Sequence, residues 1–289
     1  MGCAQEILLR VENIEKYYGG LGTVTRALDQ LSFHVRKGEY ISIMGASGSG
    51  KTTLLNCLST IDSVSAGHIV LDGKDITKLR EEELAAFRRD NLGFVFQEYN
   101  LLDTLTLEEN MALPLTIQGL GPEEIGLRVR KIADKLQIGD VLGKFPFQTS
   151  GGQKQRCAFA RAVVCGPKII FADEPTGALD SHSARVLLEI ISQLHEDLET
   201  TVFMVTHDAF CASYAERILF LKDGKIFNEL VKEGRQGAYS TTKSWTCFLF
   251  WEVTANARKT GAAQCKKAVG GLCAVFYYDK LCRGMYVCL

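Results

Sequence analysis

Apolar and polar positions alternate over Glu6–Glu12 and again over Leu31–Val35, the period of half-buried strands. Tyr40–Met44 is a short apolar run that ends at Gly45, and from Lys51 the pattern becomes helical, with Leu54, Leu55 and Leu58 on one face. His68–Leu71 reads as a strand closed by an Asp72-Gly73 turn, Glu81–Asp90 as a charged helix and Leu92–Phe96 as a strand. Glu108–Gln118 and Glu123–Leu136 are helical in pattern, interrupted by Pro114, Gly119, Gly121 and Pro122. Gly152–Val164 and Ser181–Leu198 read as helices, and Ile169–Ala172 and Thr201–Thr206 as fully apolar strands. Ile218–Leu221 and Lys225–Leu230 flank Asp223-Gly224, a strong hairpin signal. Strands that alternate with helices predict an α/β fold whose mostly parallel sheet is covered on both faces.

Composition adds exclusions. The 289 residues are 46% hydrophobic and 23% charged, ordinary globular usage. Lys+Arg is 33 and Asp+Glu 34, a net charge of −1, which argues against a general nucleic-acid binder. The longest apolar run, Leu272–Tyr278, falls well short of the roughly 20 residues of a membrane-spanning helix. MGCAQEILLR contains no apolar stretch of signal-peptide type, so a cytoplasmic location is expected. Cys3, Cys57, Cys157, Cys165 and Cys211 are scattered singly and read as reduced, small apolar residues. Cys247, Cys265, Cys273, Cys282 and Cys288 crowd the last 52 residues, and no C-x-x-C pair supports a zinc site.

Two segments carry chemistry. Gly45, Ala46, Ser47, Gly48, Ser49, Gly50, Lys51 and Thr52 spell G-x-x-x-x-G-K-[ST] between a strand and a helix. Small residues let successive backbone N–H groups turn inward around phosphate oxygens, and the helix adds its positive N-terminal end. Lys51 supplies a point charge to the β- and γ-phosphates, and the Thr52 hydroxyl can ligate Mg²⁺. Further on, Ile169-Ile170-Phe171-Ala172-Asp173-Glu174 sets two acids at the end of an apolar strand. In a parallel sheet they meet the phosphate loop at the carboxyl ends of the strands. Alternation points adjacent strand residues to opposite sides. Asp173 would therefore hold the Mg²⁺ shell through water, and Glu174 would orient the water that attacks the γ-phosphate.

Ser150-Gly151-Gly152-Gln153 opens a helix, Gln97 follows an apolar strand, and Ala178-Leu179-Asp180 and His207 follow the acids. This ordered set resembles the ATP-binding-cassette ATPases over roughly residues 6–232. The resemblance implies a P-loop NTPase core with a mostly parallel sheet, an antiparallel β subdomain, and a small helical subdomain inserted at about 98–160. It implies that Tyr18 stacks on adenine and that the phosphate loop extends through Thr53. Gln97 would sense Mg²⁺ and γ-phosphate, and His207 would contact γ-phosphate as a switch. Ser150, Gly151, Gly152 and Gln153 match the family signature, with Thr149 where leucine is usual. Asp180 matches an acid at the dimer interface. ATP and Mg²⁺ are the implied cofactors. The implied assembly is a head-to-tail dimer, peripheral on the inner membrane face through a separate integral-membrane permease.

The run from Ala172 to Asp180 is similar to the branch of lipoprotein-release, macrolide-export and cell-division ATPases. Phe145-Pro146-Phe147 and Thr206–Tyr214 look most like the bacitracin and antimicrobial-peptide resistance group, whose ATPases are paired with a permease. A chromosome or DNA-repair ATPase would need a coiled-coil insertion between Lys51 and Ser150, where no heptads occur. A translation-factor type would carry the motif set twice. The chain changes character after residue 237: the last 52 residues carry a net charge of +5 and both tryptophans, Trp245 and Trp251, with no sustained period. The cassette is therefore expected to span 5–237, with residues 238–289 outside the ATPase fold.

Overall fold

A computed structural model describes residues 6–20, 23–232 and 239–241. Two sheets organise it. The first is antiparallel, in the order β2 (Thr23–Arg36), β1 (Ile7–Gly20), β4 (Ala66–Leu71), β5 (Lys74–Asp75). The second has seven strands. Its parallel part runs β9 (Arg217–Lys222), β3 (Tyr40–Met44), β8 (Thr201–Thr206), β7 (Ile169–Asp173), β6 (Leu92–Val95). Antiparallel β10 (Lys225–Lys232) and β11 (Tyr239–Thr241) extend it at the β9 edge. Tyr239–Thr241 lies past the boundary expected at residue 237; the rest of the expected tail is outside the described residues.

The apolar runs of the second sheet are apolar because both faces are covered. Ile41, Ile43, Ile169, Phe171, Phe203 and Val205 point toward α1 (Lys51–Leu58) and the antiparallel sheet. Their sequence neighbours Tyr40, Ile170, Ala172, Val202 and Met204 point toward the helices of the other face. That face is built by α3 (Leu107–Ile117), α4 (Pro122–Lys135), α5 (Gly151–Val163) and α6 (Ser181–Leu198), which follow the short charged α2 (Glu81–Asn91). Among the described residues no helix is long and apolar enough to cross a membrane.

The first two strands are longer than their alternation predicts, for a visible reason. Pairing of β1 with β2 jumps from Val11↔Phe33 to Ile14↔Leu31, and Asn13 and Gln30 adopt left-handed φ of 49° and 48°. Each bulge inserts a residue and moves the next apolar side chain from the i+2 position to i+3. Val11 and Ile14 are both buried, as are Leu28 and Leu31. Gly67 is required where β4 crosses the first bulge, since a Cβ there would lie 2.4 Å from the Asn13 carbonyl oxygen.

A buried ion pair joins the two sheets. Arg217 donates to Glu39 (3.1 Å), Glu229 (2.6 Å) and the His34 carbonyl (2.9 Å), and Glu39 also accepts from Arg36 N (2.7 Å). Removing one partner of such a pair leaves a buried charge unpaired. Arg217→Ala is expected to lower unfolding stability by about 3–5 kcal/mol in urea titrations, and Arg217→Met/Glu39→Gln together by clearly less.

Candidate functional site

The carboxyl ends of β3, β8, β7 and β6 stand side by side and deliver the phosphate loop, His207, the two acids and Gln97 in that order. Parallel pairing in register, Met44↔Thr206 and Asp173↔Val205, puts these residues at one level.

The loop after β3 is shaped by its glycines. A Cβ on Gly45 would sit 2.3 Å from the Leu221 carbonyl oxygen, and one on Gly50, at φ 102°, 2.6 Å from that of Ala27. Gly50 caps α1 with no side-chain hydrogen bond, and the first turn holds no acid, so its N–H groups remain free for an anion. Lys51 curls onto the loop, donating to the carbonyls of Gly45 (2.8 Å) and Ala46 (2.9 Å). Burial lowers its pKa, opposed by the charges of Glu174 and Asp173. Those two acids therefore lie within electrostatic reach of the loop cation. The buried Ser49 Oγ has no partner. Thr52 and Thr53 follow on the first turn of α1, and Thr52 is exposed.

At the end of β7 the two acids differ in surroundings. The Asp173 Oδ1 atom is buried and unpartnered. Burial, then the charge of Glu174, pushes its carboxyl up, while Lys51 pulls it down. Glu174 is not the next residue of a strand: β7 ends at Asp173, and Glu174 turns away at φ 47°. The two acids are separated by this left-handed turn rather than by strand alternation. The turn is clamped by Glu174 N donating to the Val205 carbonyl (2.9 Å) and Gly177 N donating to the Glu174 carbonyl (2.9 Å). Glu174 Oε1 lies 2.7 Å from His207 Nδ1. Gln97 lies against the same turn; a Cβ on Gly177 would be 2.8 Å from its Nε2.

Three positioning residues lie outside the predicted site set. Thr176 Oγ1 is 2.9 Å from Cys211 Sγ, in α7 (Ala209–Ala212), so the acid-bearing turn is also tied to the segment that follows His207. The Cys211 thiol, pushed up to about 12 by burial, is a neutral hydrogen-bonding partner and not a nucleophile. Arg161 of α5 donates to the carbonyls of Tyr99 (3.2 Å) and Asn100 (2.5 Å), which carry left-handed φ of 60° and 49° just beyond Gln97. No spacing rule marks any of these contacts; each depends on the folded chain.

The signature residues sit elsewhere. Ser150 caps α5: its hydroxyl accepts from Gln153 N (3.3 Å) while Gln153 Oε1 accepts from Ser150 N (3.0 Å). Gly151 faces the Tyr99 hydroxyl and Gly152 faces Ser183, where a Cβ would make tight contacts of 3.1 and 3.3 Å. Thr149 is half-buried and donates its hydroxyl to the Pro146 carbonyl (2.8 Å). Asp180 caps α6, accepting from His182 N and Ser183 N (3.0 Å each) and from Ser183 Oγ (2.6 Å); the Ser183 bond holds its carboxyl below the ordinary value. Among the described residues no hydrogen bond joins Ser150–Gln153 or Asp180 to the phosphate loop. Tyr18 is exposed on β1, beside the start of α1.

The chain has relatives among known proteins. Residues 28–177 match the ABC transporter family model. The chain is similar to the bacitracin export ATP-binding protein BceA of Halalkalibacterium halodurans, at 52% identity over 79% of this chain and 91% of that protein. It is 43% identical to the macrolide export ATP-binding/permease protein MacB of Neisseria gonorrhoeae over 78% of this chain, but over only 35% of that longer protein. Among solved structures it resembles the dimeric post-hydrolysis state of the ATP-binding cassette MJ0796 bound to ADP and Pi. That match has a TM-score of 0.72 and 37% identity, covering 80% of this chain and all of the other.

The buried Asp173 carboxylate has a testable cost. Its pKa is raised, so its stabilising contribution is complete below the ordinary carboxyl value of 3.8 and is lost as pH rises through the raised value. At pH 7 the ionised group therefore opposes folding. Asp173→Asn is expected to stabilise the nucleotide-free protein by about 0.5–2 kcal/mol in thermal unfolding, with the gain shrinking as the pH is lowered through the carboxylate range.

Proposed function

The chain belongs to the ABC transporter family, and from that membership we propose that this ATPase powers a separate integral-membrane permease that exports bacitracin-like antimicrobial peptides. The peptide reading rests on the similarity to a bacitracin export ATP-binding protein. The permease reading rests on the similarity to that export ATP-binding protein, 91% of whose length this chain covers. Two copies would close head to tail around two ATP molecules, as the similarity to a dimeric cassette supports. In that assembly the protein works at the inner face of the membrane.

The observation that carries the chemistry is Glu174, held by His207 and by the Val205 carbonyl, beside an unpartnered Asp173 and within electrostatic reach of Lys51. Lys51 and the free amides of the loop would take the β- and γ-phosphates. Lys51 would exchange its bonds to Gly45 and Ala46 for phosphate oxygens. Glu174 would accept a hydrogen bond from the attacking water and orient it in line with the γ-phosphorus, while His207 fixes the carboxylate and meets the γ-phosphate. The unpartnered, buried oxygen of Asp173 suits the hydration shell of a Mg²⁺ ion, with Thr52 and Gln97 as its remaining protein ligands. Such an ion neutralises charge on the phosphates when bound. Ser150, Gly151, Gly152 and Gln153 of the second copy would supply the donors that the phosphate loop lacks on its open side.

Glu174→Gln is expected to retain ATP binding, to lose at least about 100-fold of hydrolysis, and to accumulate an ATP-bound dimer in size-exclusion chromatography. Lys51→Ala is expected instead to weaken ATP binding at least tenfold in calorimetry. ATPase activity of the chain reconstituted with its permease, assayed with and without bacitracin, tests the transport reading. Stimulation by bacitracin is expected, and stimulation by a macrolide alone would replace it with the macrolide-export reading.

A further inference from the structure

Beside the proposed nucleotide site lie two side chains, Lys16 and Asp62, that neither the motif set nor the catalytic reading uses. Lys16 is buried, unusual for a lysine, and donates to Asp62 Oδ1 (2.6 Å) and to the Ser63 carbonyl (2.5 Å). The other Asp62 oxygen, Oδ2, accepts from the Tyr18 hydroxyl at 2.7 Å. The Thr53 side chain lies close to the same phenol oxygen. Lys16 Nζ also lies over the Tyr18 ring, 5.0 Å from its centre. Lys16 and Tyr18 are two residues apart on β1, while Asp62 follows the end of α1.

One carboxylate therefore spans two parts of the molecule. It joins the strand that carries the aromatic ring to the helix that carries the phosphate loop. The ring itself remains 42% exposed. With an ammonium over one face, the opposite face is the one a flat ligand can cover. Burial pushes the Asp62 carboxyl up, yet the bonds from Lys16, Tyr18 and Ser63 N outweigh it and hold the group below its ordinary value. Asp62 thus stays charged at neutral pH, and the network stays closed.

We propose that Asp62 and Lys16 are positioning residues that fix the Tyr18 ring at a set distance and angle from the phosphate loop, so that base and triphosphate of one nucleotide are gripped together. This rests on the reading of Tyr18 as the base platform. A flexible exposed tyrosine would have to be ordered by each nucleotide that binds, and that cost would be subtracted from affinity. The Asp62 tether meets the cost during folding. Its effect is confined to ligands that carry a base: a bare triphosphate touches the loop and never the ring.

The test compares calorimetric binding of ATP and of inorganic tripolyphosphate to the full chain and its variants. Asp62→Ala and Lys16→Met are expected to weaken ATP binding about five- to twentyfold and tripolyphosphate binding less than twofold. Tyr18→Phe keeps the ring but removes the hydroxyl that Asp62 holds, so it should weaken ATP severalfold without affecting tripolyphosphate. It also covers the case in which Asp62→Ala fails to fold. Equal weakening of both ligands by Asp62→Ala would overturn the proposal, because Asp62 would then support only the loop. If Tyr18→Ala loses ATP affinity while Asp62→Ala, Lys16→Met and Tyr18→Phe retain it, the platform stands and the tether is wrong. If Tyr18→Ala itself binds ATP normally, the base-platform reading fails, and the tether with it.

Discussion

The bond from Glu174 N to the Val205 carbonyl is the contact on which the proposed chemistry depends. It extends the β7–β8 pairing by one residue after β7 has ended. That residue is left-handed, a conformation that costs a non-glycine side chain about 1 kcal/mol or more and persists only where its surroundings impose it. Here they do, at four points: the Val205 carbonyl, the Gly177 amide, the His207 imidazole, and the Thr176–Cys211 contact two residues on. The strain aims a carboxylate out of the sheet and holds it there. A glutamate in ordinary extended backbone at this position would follow the pleat of the strand instead.

The parallel register supplies the rest of the frame. Cover on both faces, helices on one and α1 with the antiparallel sheet on the other, keeps the strands of the parallel part largely apolar, Ser42 of β3 apart, and leaves most polar residues at the strand ends. The active groups are therefore concentrated by exclusion. Asp173 is the boundary case: it is the last residue of its strand, buried enough to push its carboxyl up, and left with an oxygen that has no partner among the described residues. A buried polar atom without a partner is costly, and it is explained most simply by a ligand that completes it.

Legibility in the sequence followed the same division. Fully buried strands announce themselves as apolar runs, and Tyr40–Met44 and Thr201–Thr206 have the limits that their composition predicts. The Asp223-Gly224 hairpin was equally plain, because the turn needs positive φ at both residues and has it. β1 and β2 were legible only in part. Alternation is readable until a bulge shifts it, and Asn13 and Gln30 interrupt the period where the strands in fact continue. Within the site, the phosphate loop and the acid pair are contiguous in sequence and carry their own signal. Asp62, Thr176, Cys211 and Arg161 act through contacts with residues 35 to 62 positions away, and those contacts exist only after folding.

The signature segment shows why one copy of this fold is chemically unfinished. The Ser150 hydroxyl accepts from Gln153 N, which uses its oxygen and leaves its O–H free to donate. The N–H groups of Gly151 and Gly152, in the first turn of α5, have no intrahelical acceptors. A Cβ on either glycine would press on the Tyr99 hydroxyl or on Ser183, so small residues suit this helix end. The Asp180 carboxylate, by contrast, is already engaged by its own helix, and what it offers elsewhere is its remaining lone pairs and its charge. Thr149 fits this economy: its side chain is bonded to Pro146 and takes none of the donors at the helix end. A set of free donors at one helix terminus and a phosphate loop with free amides at another, unlinked within the chain, are complementary to the same anion from two sides. In the proposed dimer, a second copy turned head to tail would bring them together.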